Sequence, residues 1–144
     1  MTERCIFCEI LAGRAPASIV CEEADCVAFM DIAAINPGHV LVVPRQHAPG
    51  LAELDPQAGA SMFRLAQGVA LALRRSSLRC EGVNLILSDG PVAGQEVMHV
   101  HLHVLPRYRG DGFGFRLGPG GRQVVPRSEL DEIAGRIGRA LDHG

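Results

Sequence analysis

Val97-Met98-His99-Val100-His101-Leu102-His103-Val104-Leu105 alternates imidazole and aliphatic side chains with a period of two. In an extended strand that period sends His99, His101 and His103 to one face and Val100, Leu102 and Val104 to the other. The aliphatic face belongs in a core. The imidazole face must open on a polar site, because buried imidazoles need hydrogen-bond partners. A half-exposed strand that happens to carry histidine is the plain alternative, and the spacing of three of the chain's six histidines two apart weighs against it.

Outward from this strand, the turn Asp89-Gly90-Pro91-Val92-Ala93-Gly94 separates it from a strand over 83–87. Further upstream, Asn36-Pro37-Gly38 is a turn, since proline fixes one φ and glycine permits a positive one. His39-Val40-Leu41-Val42-Val43 after it reads as an apolar strand ended by Pro44. Residues 19–21 and 26–30 read as two strands around the acidic turn Glu22-Glu23-Ala24-Asp25. Apolar residues at 6, 7, 10 and 11 suit a short helix ended at Gly13. Asp55-Pro56 predicts the start of a long helix carrying Met62, Leu65, Val69 and Leu73 inward as far as Arg74-Arg75.

From 110 to 121 glycine and proline are too dense for a regular element, so 108–125 is expected to be a flexible loop. Ser128, with Asp131 three residues on, opens a last amphipathic helix to about Leu141, within a C-terminal segment 126–144. The expected fold is therefore α+β: a five-stranded antiparallel sheet with one long helix and a C-terminal helix, in a single domain over 1–144.

A formal charge of −2 and the absence of a Lys/Arg run exclude the basic stripe of a nucleic-acid binder. No apolar stretch approaches the roughly 20 residues that span a bilayer. Met1-Thr2-Glu3-Arg4 leads into foldable sequence with no secretion signal, so the expectation is a cytoplasmic protein without membrane or nucleic-acid partners. The five cysteines, an odd number, then point to reduced thiols. Cys21, Cys26 and Cys80 read as packing residues, whereas Cys5-Ile6-Phe7-Cys8 is a Cys-x-x-Cys pair open to a redox or a metal reading.

A row of imidazoles suits attack on phosphorus, because a pKa of about 6.5 leaves the ring mostly neutral and nucleophilic. The attacking ring needs its second nitrogen to hold the proton against an acceptor, and a backbone carbonyl suffices. Flanking imidazoles could donate to phosphate oxygens or to a leaving group. A second reading is a catalytic zinc gripped by two histidines at i and i+2, although no third ligand is evident nearby.

The run from His99 to Leu105 resembles the signature of the histidine triad family of nucleotide hydrolases and transferases. So do Asp89-Gly90-Pro91-Val92-Ala93-Gly94-Gln95 before it, Pro106-Arg107 after it, and the stretch from Asn36 to Pro44 upstream. The likeness runs over about 5–107 and is weak beyond Gly112. It implies an edge-to-edge homodimer that cleaves a substituted nucleoside phosphate, either a dinucleoside polyphosphate or an adenosine phosphoramidate. His101 would be the nucleophile of a nucleotidyl-histidine intermediate that water resolves. Gly94, Gln95, Val97, Ser88 and His103 would surround the phosphate. His103 also points to hydrolysis, since the uridylyltransferase branch carries Gln at its place.

The same resemblance makes Asp31 the acceptor for ribose hydroxyls and places Ile6, Phe7, Ile10, Phe29 and Ile32 around the base. Taken alone, each of these apolar residues is more simply a core residue. His39 would hydrogen-bond near the triad. Ser88 stands where relatives often carry Asn or Gln, and Glu96 where some have Ser or Thr near the leaving group. A closed structural zinc site would pair Cys5 and Cys8 with His47 and His99, leaving His101 free. The alternatives are a nucleotide-binding regulator with little turnover, a nucleotidyl transferase, and a metal-activated hydrolase that ligates through the triad.

Overall fold

The computed structural model describes residues 5–141. The reading of Met1-Thr2-Glu3-Arg4 as a direct lead into the fold, and the last three positions of the expected C-terminal segment, lie outside them. Asp55 caps the long helix α2 (Pro56–Arg75) by accepting the Gln57 amide at 3.0 Å, and Pro56 takes the first turn, where an amide would have no partner. Ala58, Met62, Leu65, Ala66, Val69 and Leu73 form its buried stripe, as the spacing predicts.

Five strands, β1 (Ile19–Glu22), β2 (Cys26–Met30), β3 (Val40–Pro44), β4 (Gly82–Leu87) and β5 (Leu102–Arg107), form one antiparallel sheet in the order β1-β2-β3-β5-β4. Alternation along the strands divides the core in two. Ala28, Val40, Val42, Val100, Leu102 and Val104 pack with the α2 stripe. Phe7, Val27, Phe29, Leu41 and Val43 form a second cluster, with Phe7 supplied by the short helix α1 (Ile6–Leu11). His103 pairs with Leu41, so it lies on this second face.

One boundary differs from expectation. β5 begins at Leu102, not at 97. The Val100 amide donates instead to the Ala48 carbonyl at 2.8 Å, and the Pro44 carbonyl is taken by the His99 ring at 2.8 Å. A backbone bond outside the sheet and one side-chain bond thus replace the ladder there, yet Val100 still enters the α2 core. A 3-10 turn, Pro91–Ala93, occupies the Gly-rich connection before it.

Contacts divide the chain into two compact units, one ending at Phe113 and one beginning at Gly114. The first holds the sheet, α1 and α2. The second carries α3 (Arg127–Leu141), whose Leu130, Ile133, Ile137 and Leu141 are exposed along one stripe. No helix among the described residues is long and apolar enough to cross a membrane.

Candidate functional site

Each triad imidazole meets a backbone group or a neighbouring ring that determines which nitrogen holds the proton. A carbonyl can only accept, so a ring nitrogen facing one must donate. His101 Nδ1 lies 2.9 Å from the His99 carbonyl, so the proton is on Nδ1 and the Nε2 lone pair is free. His99 Nε2 lies 2.8 Å from the Pro44 carbonyl, so its lone pair is on Nδ1. His39 Nδ1 accepts the Ile35 amide at 3.1 Å, which leaves its proton on Nε2. That proton is donated to His103 Nδ1 at 2.9 Å, and His103 therefore carries its own proton on Nε2. One ring offers a lone pair and its neighbour an N–H, with centroids 4.9 Å apart.

Burial favours the neutral form of His39, His99 and His103. His103 is pushed down to about 4 by burial, then by His101 and His39. Burial also lowers His39, against the pull of Asp31, whose Oδ2 is 3.4 Å from His39 Nε2. Asp31, His39 and His103 lie close enough to suggest a cation site. A metal on His39 Nε2 would force the ring proton onto Nδ1, where the Ile35 N–H already points. Within the trio His39 donates to His103, while Asp31 Oδ2 stays 3.4 Å from the same nitrogen.

The lone pair of His99 points into a different cluster. Its Nδ1 lies 3.2 Å from His47 Nδ1, 3.3 Å from Cys5 Sγ and 3.6 Å from Cys8 Sγ, and Cys8 Sγ is 3.3 Å from His47 Nδ1. In tetrahedral zinc, bonds of about 2.0–2.1 Å to nitrogen and 2.3 Å to sulfur set ligand separations of about 3.3 Å for two nitrogens and about 3.6 Å for nitrogen and sulfur. The donor set fits such an ion in both kind and spacing. The Pro44 carbonyl is the acceptor that commonly orients a ligating imidazole. Burial, then the adjacent Cys5 sulfur, raises the Cys8 thiol; a divalent cation would reverse this by its own charge. α1 brings the two cysteines together, with Cys5 as its N-cap and Cys8 one turn on.

The remaining expected site residues are distributed unevenly. Phe7 is buried edge-on to Phe29, with centroids 5.5 Å apart, and to His101 at 5.1 Å, and Ile10 packs on the same cluster. Asp31 follows β2 and accepts the Ala33 amide at 2.8 Å, while Ile32 beside it is fully exposed. Ile6 lines a cavity of about 360 Å³ with Cys5, His47, Pro49, Glu96, Val97 and Met98. Gln95 is buried and fully engaged: Nε2 donates to the Pro49 and Val97 carbonyls at 2.7 and 3.0 Å, and Oε1 accepts the Gly90 amide at 2.8 Å. Its side chain ties the loop together around Gly94, which sits at φ 101° facing Ser88 Oγ. Positive φ there needs glycine.

Sequence reading missed one cluster. Arg107 clasps Asp111 through Nε at 2.6 Å and Nη2 at 2.9 Å, and donates from Nη1 to Asn84 at 2.6 Å. Asn36 joins Asp111 to the Pro106 carbonyl, with both bonds at 2.9 Å. The Arg107 guanidinium holds the Asp111 carboxyl well below the usual range. Asn36 and Arg107 belong to stretches that carry the family resemblance, but in the chain only the four-residue spacing of Arg107 and Asp111 links any two members of the clasp.

Comparison with known proteins bears on the family. The HIT domain model matches residues 12–110. A HIT-like protein of Methanocaldococcus jannaschii is 38% identical over 133 residues, 92% of this chain and 98% of that one. The adenylylsulfatase HINT3 of Arabidopsis thaliana is 31% identical over 107 residues, 74% of this chain and 54% of that one. Among solved structures, a HIT family protein of Bacillus anthracis superposes with a TM-score of 0.87 at 33% identity, covering 97% of this chain and 99% of that chain. A zinc-bound histidine triad family protein of Mycobacterium smegmatis gives 0.74 at 37% identity, covering 92% and 96%. With its triad, its sheet order and these matches, the chain belongs to the HIT (histidine triad) family.

Proposed function

We propose that this protein is a nucleotide hydrolase that works through a nucleotidyl-histidine intermediate on His101. The observation that supports it most is the 2.9 Å bond from His101 Nδ1–H to the His99 carbonyl, which presents Nε2 as a lone pair. In the proposed first step Nε2 bonds to phosphorus, and the phosphorus–leaving-group bond breaks with its electron pair on the leaving atom. His103 Nε2–H donates to a phosphate oxygen or to that departing atom. Water then attacks phosphorus, the N–P bond breaks with its electron pair on Nε2, and the proton that water loses balances the one taken up by the leaving group, so the nucleoside monophosphate leaves with the imidazole restored.

Asp31 would accept the ribose hydroxyls through its outer lone pairs, beside a base resting near Phe7, Phe29, Ile10 and Ile32. Ile6, which opens on the other cavity, would stand at its margin. Gly94 and Val97 would offer backbone to the phosphate, with Gln95 holding their loop and Ser88 close by. The substrate class is a dinucleoside polyphosphate or an adenosine phosphoramidate. Cys5, Cys8, His47 and His99 would hold a structural zinc, which supplies fixed positive charge and four short bonds. A homodimer joined at sheet edges and residence in the cytoplasm, where five unpaired thiols stay reduced, complete the proposal.

His101→Asn is expected to lower kcat by at least about 10³-fold while nucleotide binding survives. Turnover on adenosine phosphoramidate and on diadenosine tri- and tetraphosphate, with calorimetric binding of the monophosphate, measures both. Wild-type turnover by this variant would sink the assignment.

A further inference from the structure

We propose that His99 couples the metal site to the nucleophile through a single peptide plane, an inference that rests on the reading of His101 and of the Cys/His cluster above. The side chain of His99 belongs to the metal cluster, while its main-chain carbonyl holds the Nδ1 proton of His101 at 2.9 Å. That carbonyl shares a rigid planar unit with the Val100 N–H, which donates to the Ala48 carbonyl at 2.8 Å. Ala48 directly follows His47, a second member of the cluster.

The two ends of one plate are thus tied to different things. The N–H end is tied to the segment that carries His47, and the C=O end to the nucleophile. Two of the four metal donors flank the plate, His99 as its first residue and His47 one residue before its acceptor. The other two, Cys5 and Cys8, arrive on α1 together with Phe7, which lies edge-on to His101 at 5.1 Å. A cation that draws the four donors to tetrahedral separation holds the plate from both flanks and seats Phe7 against the ring.

The chemical consequence lies in the proton. A histidine side chain free in water favours the form protonated on Nε2. If the plate tilts and its carbonyl leaves Nδ1, His101 reverts toward that form, and the lone pair meant for phosphorus is lost. His99 is on this view a positioning residue, and the metal serves the reaction without touching substrate.

Long-range proton–nitrogen NMR reads which nitrogen of each imidazole is protonated. In zinc-loaded protein His101 is expected as one Nδ1–H species. After chelation, and in Cys8→Ser, it is expected as an average of both forms, with kcat down about 10–100-fold and KM unchanged to within about twofold. Exchange of zinc for the larger cadmium keeps the site filled, so the test survives if the metal-free chain unfolds. There the His101 nitrogen signals should move while those of His39, held by the Ile35 amide, stay. Identical His101 signals in zinc and cadmium protein, or in zinc and folded metal-free protein, overturn the coupling. Failure of the underlying reading shows separately, as turnover by zinc-loaded His101→Asn.

Discussion

His39 is buried, 2% exposed, and has no lone pair or proton left over: Nδ1 takes the Ile35 amide and Nε2–H goes to His103. Its effect on chemistry is therefore indirect, through the tautomer of His103. His39→Gln can still accept or donate but does not enforce one tautomer, so His103 is expected to present Nε2–H only part of the time. We expect kcat to fall by on the order of 10–100-fold, less than the roughly 10²–10⁴-fold of a proton donor removed outright, because His103 itself remains. Nucleotide affinity and melting temperature should change little. Steady-state kinetics checks this, and unchanged kcat would mean that the 2.9 Å contact has no bearing on turnover.

At the scale of elements, α2 and the middle strands meet through close-packed aliphatic surface. Met62 is 1% exposed and faces the cluster of Val40, Val42 and Val104. Truncation to alanine removes that transfer free energy and leaves a cavity, so Met62→Ala is expected to destabilise the fold by about 2–5 kcal/mol in denaturant titration. Phe63, the next residue, is 58% exposed, and Phe63→Ala should lie within about 0.5 kcal/mol of wild type. Equal losses at the two positions would contradict the packing of α2 on the sheet. Most of this element was legible beforehand. Asp55-Pro56 and the apolar spacing are local signals, and both appear in the structure. The start of β5 was not legible, because it depends on which partner takes the Val100 amide, and that partner is Ala48.

For the molecule as a whole, acid stability follows from the buried imidazoles. His103 is held at about 4 against an ordinary 6.5 by burial, then by His101 and His39, with Asp31 opposing; His39 shifts in the same direction. Between those values the unfolded chain binds more protons than the native one, so stability rises with pH across the window and falls as pH drops from 6.5 toward 4. Melting temperature should decline progressively over that range, and His103→Asn should flatten the slope. A variant that keeps the full wild-type slope would remove His103 from the explanation.

By itself the sequence determined what local periodicity can carry. Alternation at period two divides 99, 101 and 103 from 100, 102 and 104 wherever the strand begins, and a run of three such histidines in this setting is specific enough to name a family. It also identified the four candidate metal donors, through resemblance. Only the tertiary structure decided where the protons are. The deciding groups, the Pro44 carbonyl for His99 and the His39 ring for His103, lie 55 and 64 residues from the rings they reach. The Arg107–Asp111–Asn36 clasp was hidden for the same reason, since its third member is 75 residues from Asp111. Side-chain type is written along the chain, whereas a tautomer is a property of whichever backbone group the fold brings against the ring.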